Sequence, residues 1–179
     1  MNETFRIRPA TGSPEEAEAL ADVLVDVVEG GASVGFMLPL SRQKAIAFWH
    51  KAQESAARGE RVLLIAEDAS TSQVLGTVQV LLAMPDNQPH RADIAKMQVR
   101  RSARRRGLGA ALMRAAERAA RDAGKTLLVL DTVSGSDADR LYSSLGWVRV
   151  GDIPDYAMLP AGGLCSTTVF YRLLNKSET

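Results

Sequence analysis

The chain has 179 residues, 46% hydrophobic and 24% charged, a size and balance that fit one folded domain and exclude a disordered or fibrous chain. With 22 Lys and Arg against 21 Asp and Glu, the net charge of +1 excludes a protein-wide basic surface of the kind that holds nucleic acid, although basic charge can still cluster locally. A lone Cys165 excludes an internal disulfide, no apolar run approaches the roughly 18 residues of a membrane span, and the N-terminus lacks the basic start and apolar run of a signal peptide, so the expectation is a soluble, cytoplasmic protein.

Phe5 to Arg8 alternates like a short strand, and Ser13-Pro14-Glu15-Glu16 combines an N-cap, a proline at the first helical position and a capping-box glutamate. The helix predicted there carries Leu20, Leu24 and Val28 at helical spacing and stops at Gly30-Gly31. After a loop from Gly30 to Pro39, Ser41 caps a second helix with Ala45, Trp49 and Ala52 on one face, ending at Gly59. Arg61 to Glu67 and Val74 to Leu82 read as an antiparallel pair around a polar turn, with Gly76 inside the second strand. Met84 to His90 is a loop and Asp93 to Val99 a strand.

A helix with Leu108, Leu112, Ala115, Ala116 and Ala119 on one face runs to Gly124, and the apolar run Thr126 to Thr132 reads as a mid-sheet strand parallel to its predecessor. Ser136 and Asp139 form a capping box for a short helix ending at Gly146, followed by the strand Trp147 to Val150. Asp152 to Gly163, with two prolines and two glycines, reads as a loop, and Thr167 to Leu173 as the closing strand. Residues 1–174 are expected to be a single domain and residues 175–179 a disordered polar tail.

Arginines stand at positions 100, 101, 104, 105 and 106, directly before Gly107, Leu108, Gly109 and a helix start. Glycines let a backbone approach a ligand closely, and the first amides of a helix have no intrahelical partner. An anion there gains hydrogen bonds and the helix dipole, which suits a pyrophosphate. The alternatives are a solvated loop or a nucleic-acid patch, and both lack the strand before and the amphipathic helix after. A dinucleotide fold would want a third glycine and a place in the first strand-helix turn. His50 and His90 lie apart with no carboxylate or thiol cluster at metal spacing, so no metal site is expected.

Arg104, Gly107 and Gly109 match the Arg/Gln-x-x-Gly-x-Gly/Ala signature of the GNAT superfamily, and Leu141-Tyr142-Ser143-Ser144-Leu145-Gly146-Trp147 resembles its Leu-Tyr-x-x-x-Gly-Phe, with Trp in place of Phe. Gly30 to Met37 and Leu130-Asp131-Thr132 further resemble the tabtoxin-resistance acetyltransferases over nearly the whole chain. The resemblance implies an α/β fold with a mixed, mostly antiparallel central sheet, splayed between two parallel strands and flanked by helices. It implies acetyl-CoA as co-substrate, its pyrophosphate on Arg104, Arg105, Arg106, Gly107, Leu108, Gly109 and Ala110 and its pantetheine arm along Met97, Gln98 and Val99, one of whose amides faces the thioester oxygen.

The matching tyrosine, Tyr142, is the implied acid. Asp131, at the end of an apolar strand where a carboxylate is costly to bury unless functional, is the implied base or water-positioning group; the alternative is an aspartate that hydrogen-bonds the following loop. The sequence departs from the family in two places. Lys96 and Gln98 occupy the region where many relatives carry a glutamate base, and Gly135 replaces an asparagine seven residues before the tyrosine. Ser33, Phe36 and Tyr156 are candidate acceptor contacts on loops. The reaction implied is transfer to a primary amine of a small molecule, such as an amino-acid-like toxin or antibiotic, by a monomer or homodimer; the alternatives are a protein N-terminal or lysine acetyltransferase and a non-catalytic acyl-CoA-binding module.

Overall fold

The computed structural model describes residues 4–174; the predicted tail lies outside them. In chain order the elements are β1 (Phe5–Pro9), α1 (Pro14–Glu29), α2 (Arg42–Ala57), β2 (Arg61–Asp68), β3 (Val74–Leu81), β4 (Arg91–Val99), a short turn of 3-10 helix, α3 (Leu108–Asp122), β5 (Leu127–Val133), α4 (Asp137–Ser144), β6 (Val148–Met158) and β7 (Leu164–Leu173). The strands form one seven-stranded sheet in the order β1-β2-β3-β4-β5-β7-β6. Only β4 and β5 run parallel, as the strand-helix-strand reading requires.

The starts of α1, α2 and α4 are capped by the expected serines: Ser13 accepts from the Glu16 amide at 3.3 Å, Ser41 from Lys44 at 3.2 Å and Ser136 from Asp139 at 3.2 Å. The carboxylates of the two boxes reach further back than a simple capping box. Glu16 accepts from the amides of Thr11 and Gly12, and Asp139 from that of Gly135, which ties each preceding turn to its helix.

Alternation along the strands divides the core between the faces of the sheet. Leu20, Leu24 and Trp49 of α1 and α2 pack with Leu63 and Ile65 on one face. Leu112 and Met113 of α3 pack with Val78, Leu128 and Phe170 on the other. Full burial of such a side chain contributes about 2 kcal/mol. Among the described residues, none from β5, β6 or β7 belongs to the cluster under α1 and α2.

Several strand boundaries differ from expectation, among them those of β4, which begins at Arg91 and not Asp93, and β7, which begins at Leu164 and not Thr167. The Asp152–Gly163 segment is strand as far as Met158, paired with β7 across register shifts between Arg149 and Gly151 and between Ile153 and Ala157. β6 is an outer strand, where Pro154 withdraws no bond from an inner ladder and exposure on both faces erases alternation. β5 also continues to Val133, so Asp131 lies within it and not at its end.

Candidate active site

β4 and β5 pair only at Arg91 with Leu127, Ala92 with Leu128 and Asp93 with Val129. Beyond these three pairs the strands diverge, and β5 continues against β7. The edge of β4 from Ile94 to Val99 therefore faces a cleft of about 1090 Å³. The cleft runs from the start of α3 to the α1–α2 loop, and Tyr142 and Asp131 line it.

At one end, Gly107 caps α3 with φ of 78° and Arg105 has φ of 63°, so two left-handed residues within three positions turn the chain sharply into the helix. The α3 amides at Leu108, Gly109 and Ala110 are the unpaired first donors of a helix. A Cβ on Gly109 would lie 3.1 Å from Leu141 Cδ2 and 3.9 Å from Met97 Sδ, so glycine admits close approach of α4 and β4. The five arginines divide by task. Arg100 donates to the Val74 carbonyl at 2.8 Å and Arg101 pairs with Asp26 at 2.9 Å, fixing the turn to β3 and α1. Arg104 and Arg105 line the cleft, whereas Arg106 is exposed and its position is not among the cleft walls.

Between the ends, Val78 of β3 faces two residues of β4, since Thr77 pairs with Gln98 but Gln79 with Ala95. This bulge holds Lys96 at φ of 50° and turns the peptide groups that follow it. Gly76 accommodates the turned strand: a Cβ there would lie 2.6 Å from the Gln98 carbonyl oxygen. Met97, Gln98 and Val99 thus lie along the open edge. The Gln98 side chain is buried, and neither its amide nitrogen nor its oxygen has a partner.

Tyr142 sits at the α4 wall, 5% exposed, its ring 6.1 Å from that of Trp147 and 6.0 Å from that of Phe170. Burial, helped by the charge of Asp131, raises its pKa and keeps the hydroxyl protonated. Trp147, where the family motif has Phe, donates through Nε1 to Glu117 at 3.1 Å, and Glu117 is also held by Arg172 at 3.3 Å. The extra ring atoms therefore satisfy a buried carboxylate. Asp131 is exposed to the cleft and not buried, so desolvation supplies no functional argument for it. Its Oδ2 accepts from Thr167 Oγ1 at 2.9 Å, and among its described contacts it makes no bond to the loop 134–136. Gly135 has φ of 72° and donates to Asp139, a turn geometry that glycine adopts more readily than asparagine.

The other end of the cleft is roofed. Ser33 Oγ donates to the Met158 carbonyl at 3.3 Å and the Leu38 amide to the Pro160 carbonyl at 2.9 Å, joining the α1–α2 loop to the β6–β7 hairpin. Ser33, Phe36 and Tyr156 all line the cleft, Phe36 with its ring edge-on to Phe48 at 5.2 Å. Sequence reasoning placed Tyr156 on a loop, but it belongs to β6. It also missed Lys96 as a wall of this end. Among the described residues no cluster of metal-ligating side chains occurs, and no helix is long and apolar enough to cross a membrane.

The pattern for the family described as Acetyltransferase (GNAT) matches residues 31–147. Solved structures share the fold along nearly the whole chain. The yncA protein of Salmonella typhimurium, solved with its cofactor acetyl-CoA, aligns with a TM-score of 0.77 at 20% identity, over 99% of this chain and 98% of its own. The ribosomal-protein-alanine N-acetyltransferase of Brucella melitensis aligns with a TM-score of 0.76 at 21% identity, over 94% and 99%. A candidate phosphinothricin N-acetyltransferase gives 0.75 at 17% identity, over 96% and 99%. A left-handed glycine turn before unpaired helix amides, an open inner strand edge and a protonated tyrosine fit a nucleotide thioester. With the match at residues 31–147, they establish that the chain belongs to the GNAT acetyltransferase family, as an N-acetyltransferase with acetyl-CoA as co-substrate.

Proposed function

We propose that residues 1–174 act as one domain that transfers acetyl from acetyl-CoA to the primary amine of a small molecule. The observation that carries this reading is the roof: two hydrogen bonds, from Ser33 and Leu38 to the β6–β7 hairpin, enclose the acceptor end of the cleft. A folded protein surface needs an open groove, whereas a small amine fits beneath a loop-and-hairpin cover. An amino-acid-like toxin or antibiotic, as the tabtoxin-resistance resemblance implies, is such a molecule.

The backbone of Leu108, Gly109 and Ala110, with Arg104 and Arg105, holds the pyrophosphate, and the edge at Met97, Gln98 and Val99 pairs with the pantetheine amides. Bound there, the co-substrate supplies an activated acetyl group. Tyr142 holds a proton at its phenolic oxygen for the departing sulfur. Asp131, oriented by Thr167, accepts the proton of the incoming amine, directly or through a water. Ser33, Phe36 and Tyr156 border the acceptor.

Thiol release from acetyl-CoA, measured across amino acids, aminoglycosides, simple amines and N-terminal peptides, tests this reading. Turnover on a small amine supports it. Turnover confined to peptides would favour the reaction named for the Brucella relative, and coenzyme binding with no turnover would favour an acyl-CoA-sensing module.

A further inference from the structure

The bulge in β4 takes Lys96 out of the alternation of its strand and sends its side chain toward the roofed end of the cleft. The ammonium lies 3.7 Å from where a Cβ on Gly35 would stand and 5.9 Å from the centroid of the Phe48 ring. It is thus seated beneath the α1–α2 loop and against α2. Among the described residues no carboxylate is in ion-pair contact with it. Asp131, the carboxylate whose charge reaches it, accepts from Thr167 at 2.9 Å. Gln98, two positions along, lines the same cleft at 3% exposure with both side-chain polar atoms unpartnered.

A half-buried cation without an ion-pair partner in contact is costly, and burial together with the nearby Arg61 lowers the pKa of Lys96. The charge of Asp131 opposes that shift, and the face of the Phe48 ring also favours a cation over a neutral amine. The position of the Lys96 side chain, over the Phe48 ring and in the same cleft as Asp131, suits it to receive an anion. Asp131 lines the same cleft with the opposite charge.

We propose that Lys96 anchors an anionic group of the acceptor, so that the substrate class is a zwitterion: a primary amine that carries a carboxylate or similar anion in the same molecule. The amine points to Asp131 and the anion to Lys96. Gln98 lies beside Lys96 as a further donor. This rests on the small-amine reading above, which it narrows.

The test pairs α-, β- and γ-amino acids with their carboxamides, which keep the amine and lose the charge. Each pair is titrated by calorimetry into protein loaded with CoA and assayed for thiol release with acetyl-CoA, using wild type, Lys96→Met and Lys96→Arg. For at least one pair, wild type should favour the acid over its amide by tenfold or more, as a charge-assisted hydrogen bond confers. Lys96→Met should bring that ratio near one and Lys96→Arg should restore most of it. Wild type that treats acid and amide alike in every pair overturns the anchor, as does Lys96→Met that weakens both members equally and keeps the ratio. Selective binding of an acid without thiol release would uphold the anchor and overturn the small-amine transfer reading.

Discussion

At Tyr142 the ring and the hydroxyl do different work, and a single substitution separates them. The ring packs between Trp147 and Phe170, while the hydroxyl belongs to the cleft. Tyr142→Phe keeps the packing, so chemical denaturation should find stability within about 1 kcal/mol of wild type. The same variant should lower kcat by about 10² to 10⁴, the range for a general acid, with little change in the KM for acetyl-CoA. The raised pKa of Tyr142 fixes the sign of its pH effects: folded protein favours the neutral phenol. Its stabilising contribution is fully present below the ordinary value of 10.0 and is lost as pH rises from there through the folded value. The kcat profile should accordingly show no alkaline fall below pH 10 that belongs to this residue. A fall centred at pH 9 or lower that disappears in Tyr142→Phe would count against the acid role.

Among the elements, β4 depends on a glycine in its neighbour. Gly76→Ala places a Cβ against the Gln98 carbonyl, a backbone atom that cannot swing aside. We expect a loss of about 1–3 kcal/mol, typical of overpacking, and a raised KM for acetyl-CoA because the displaced stretch is the open edge. α1 depends on a charge cluster. Arg8 bonds Glu16 at 2.6 Å and also pairs with Glu67, which Arg6 holds from the other side; both carboxylates are buried. Arg8→Met should cost about 3 kcal/mol in urea unfolding, the lower end for breaking a buried pair since Arg8 is partly exposed. Arg8, chiefly through its hydrogen bond, lowers the pKa of Glu67, so this stabilisation is present above the ordinary 4.5 and is lost as pH falls through the folded value. Wild type should therefore lose stability in acid more steeply than Arg8→Met. The helices and their caps were legible in the sequence because a cap, a period of 3.6 and a terminal glycine are local signals. The glycine turn that leads into α3 was legible for the same reason, as Gly107, Gly109 and the arginines are contiguous. The bulge at Lys96 was not, because it exists only in the register between β3 and β4. β6 beyond Gly151 was hidden by Pro154 and by a positive φ at Asp155, both tolerated on an outer strand. The division of the arginines, two structural and two facing the cleft, also required knowing that Asp26 of α1 comes within reach of Arg101.

Across the whole molecule, the half-sheets β1–β4 and β5–β7–β6 meet in only three backbone pairs. A ligand that pairs with β4 while contacting α4 should bind them together. Acetyl-CoA at a hundred times its Kd should add about 2.7 kcal/mol of stability, raising Tm by roughly 5–10 °C for a chain of this size. Hydrogen exchange should slow at residues 97–99 and 108–110. A fragment with the 3′-phospho-ADP portion alone should protect 108–110 and leave 97–99 unchanged. The outer edges of the sheet are guarded by other means. β1 carries Arg6, Arg8 and Pro9, and β6 carries Pro154, two register shifts and the Arg149–Asp152 pair. Such features discourage a neighbouring chain from adding a strand. The unpaired stretch of β4 needs no such guard, because β5 diverges from it inside the sheet and an invading chain would have to thread the slot lengthwise. Aggregation and cofactor binding both draw on free strand edges, and here the two are kept apart by position: the edges that meet other chains are blunted, and the receptive one faces inward.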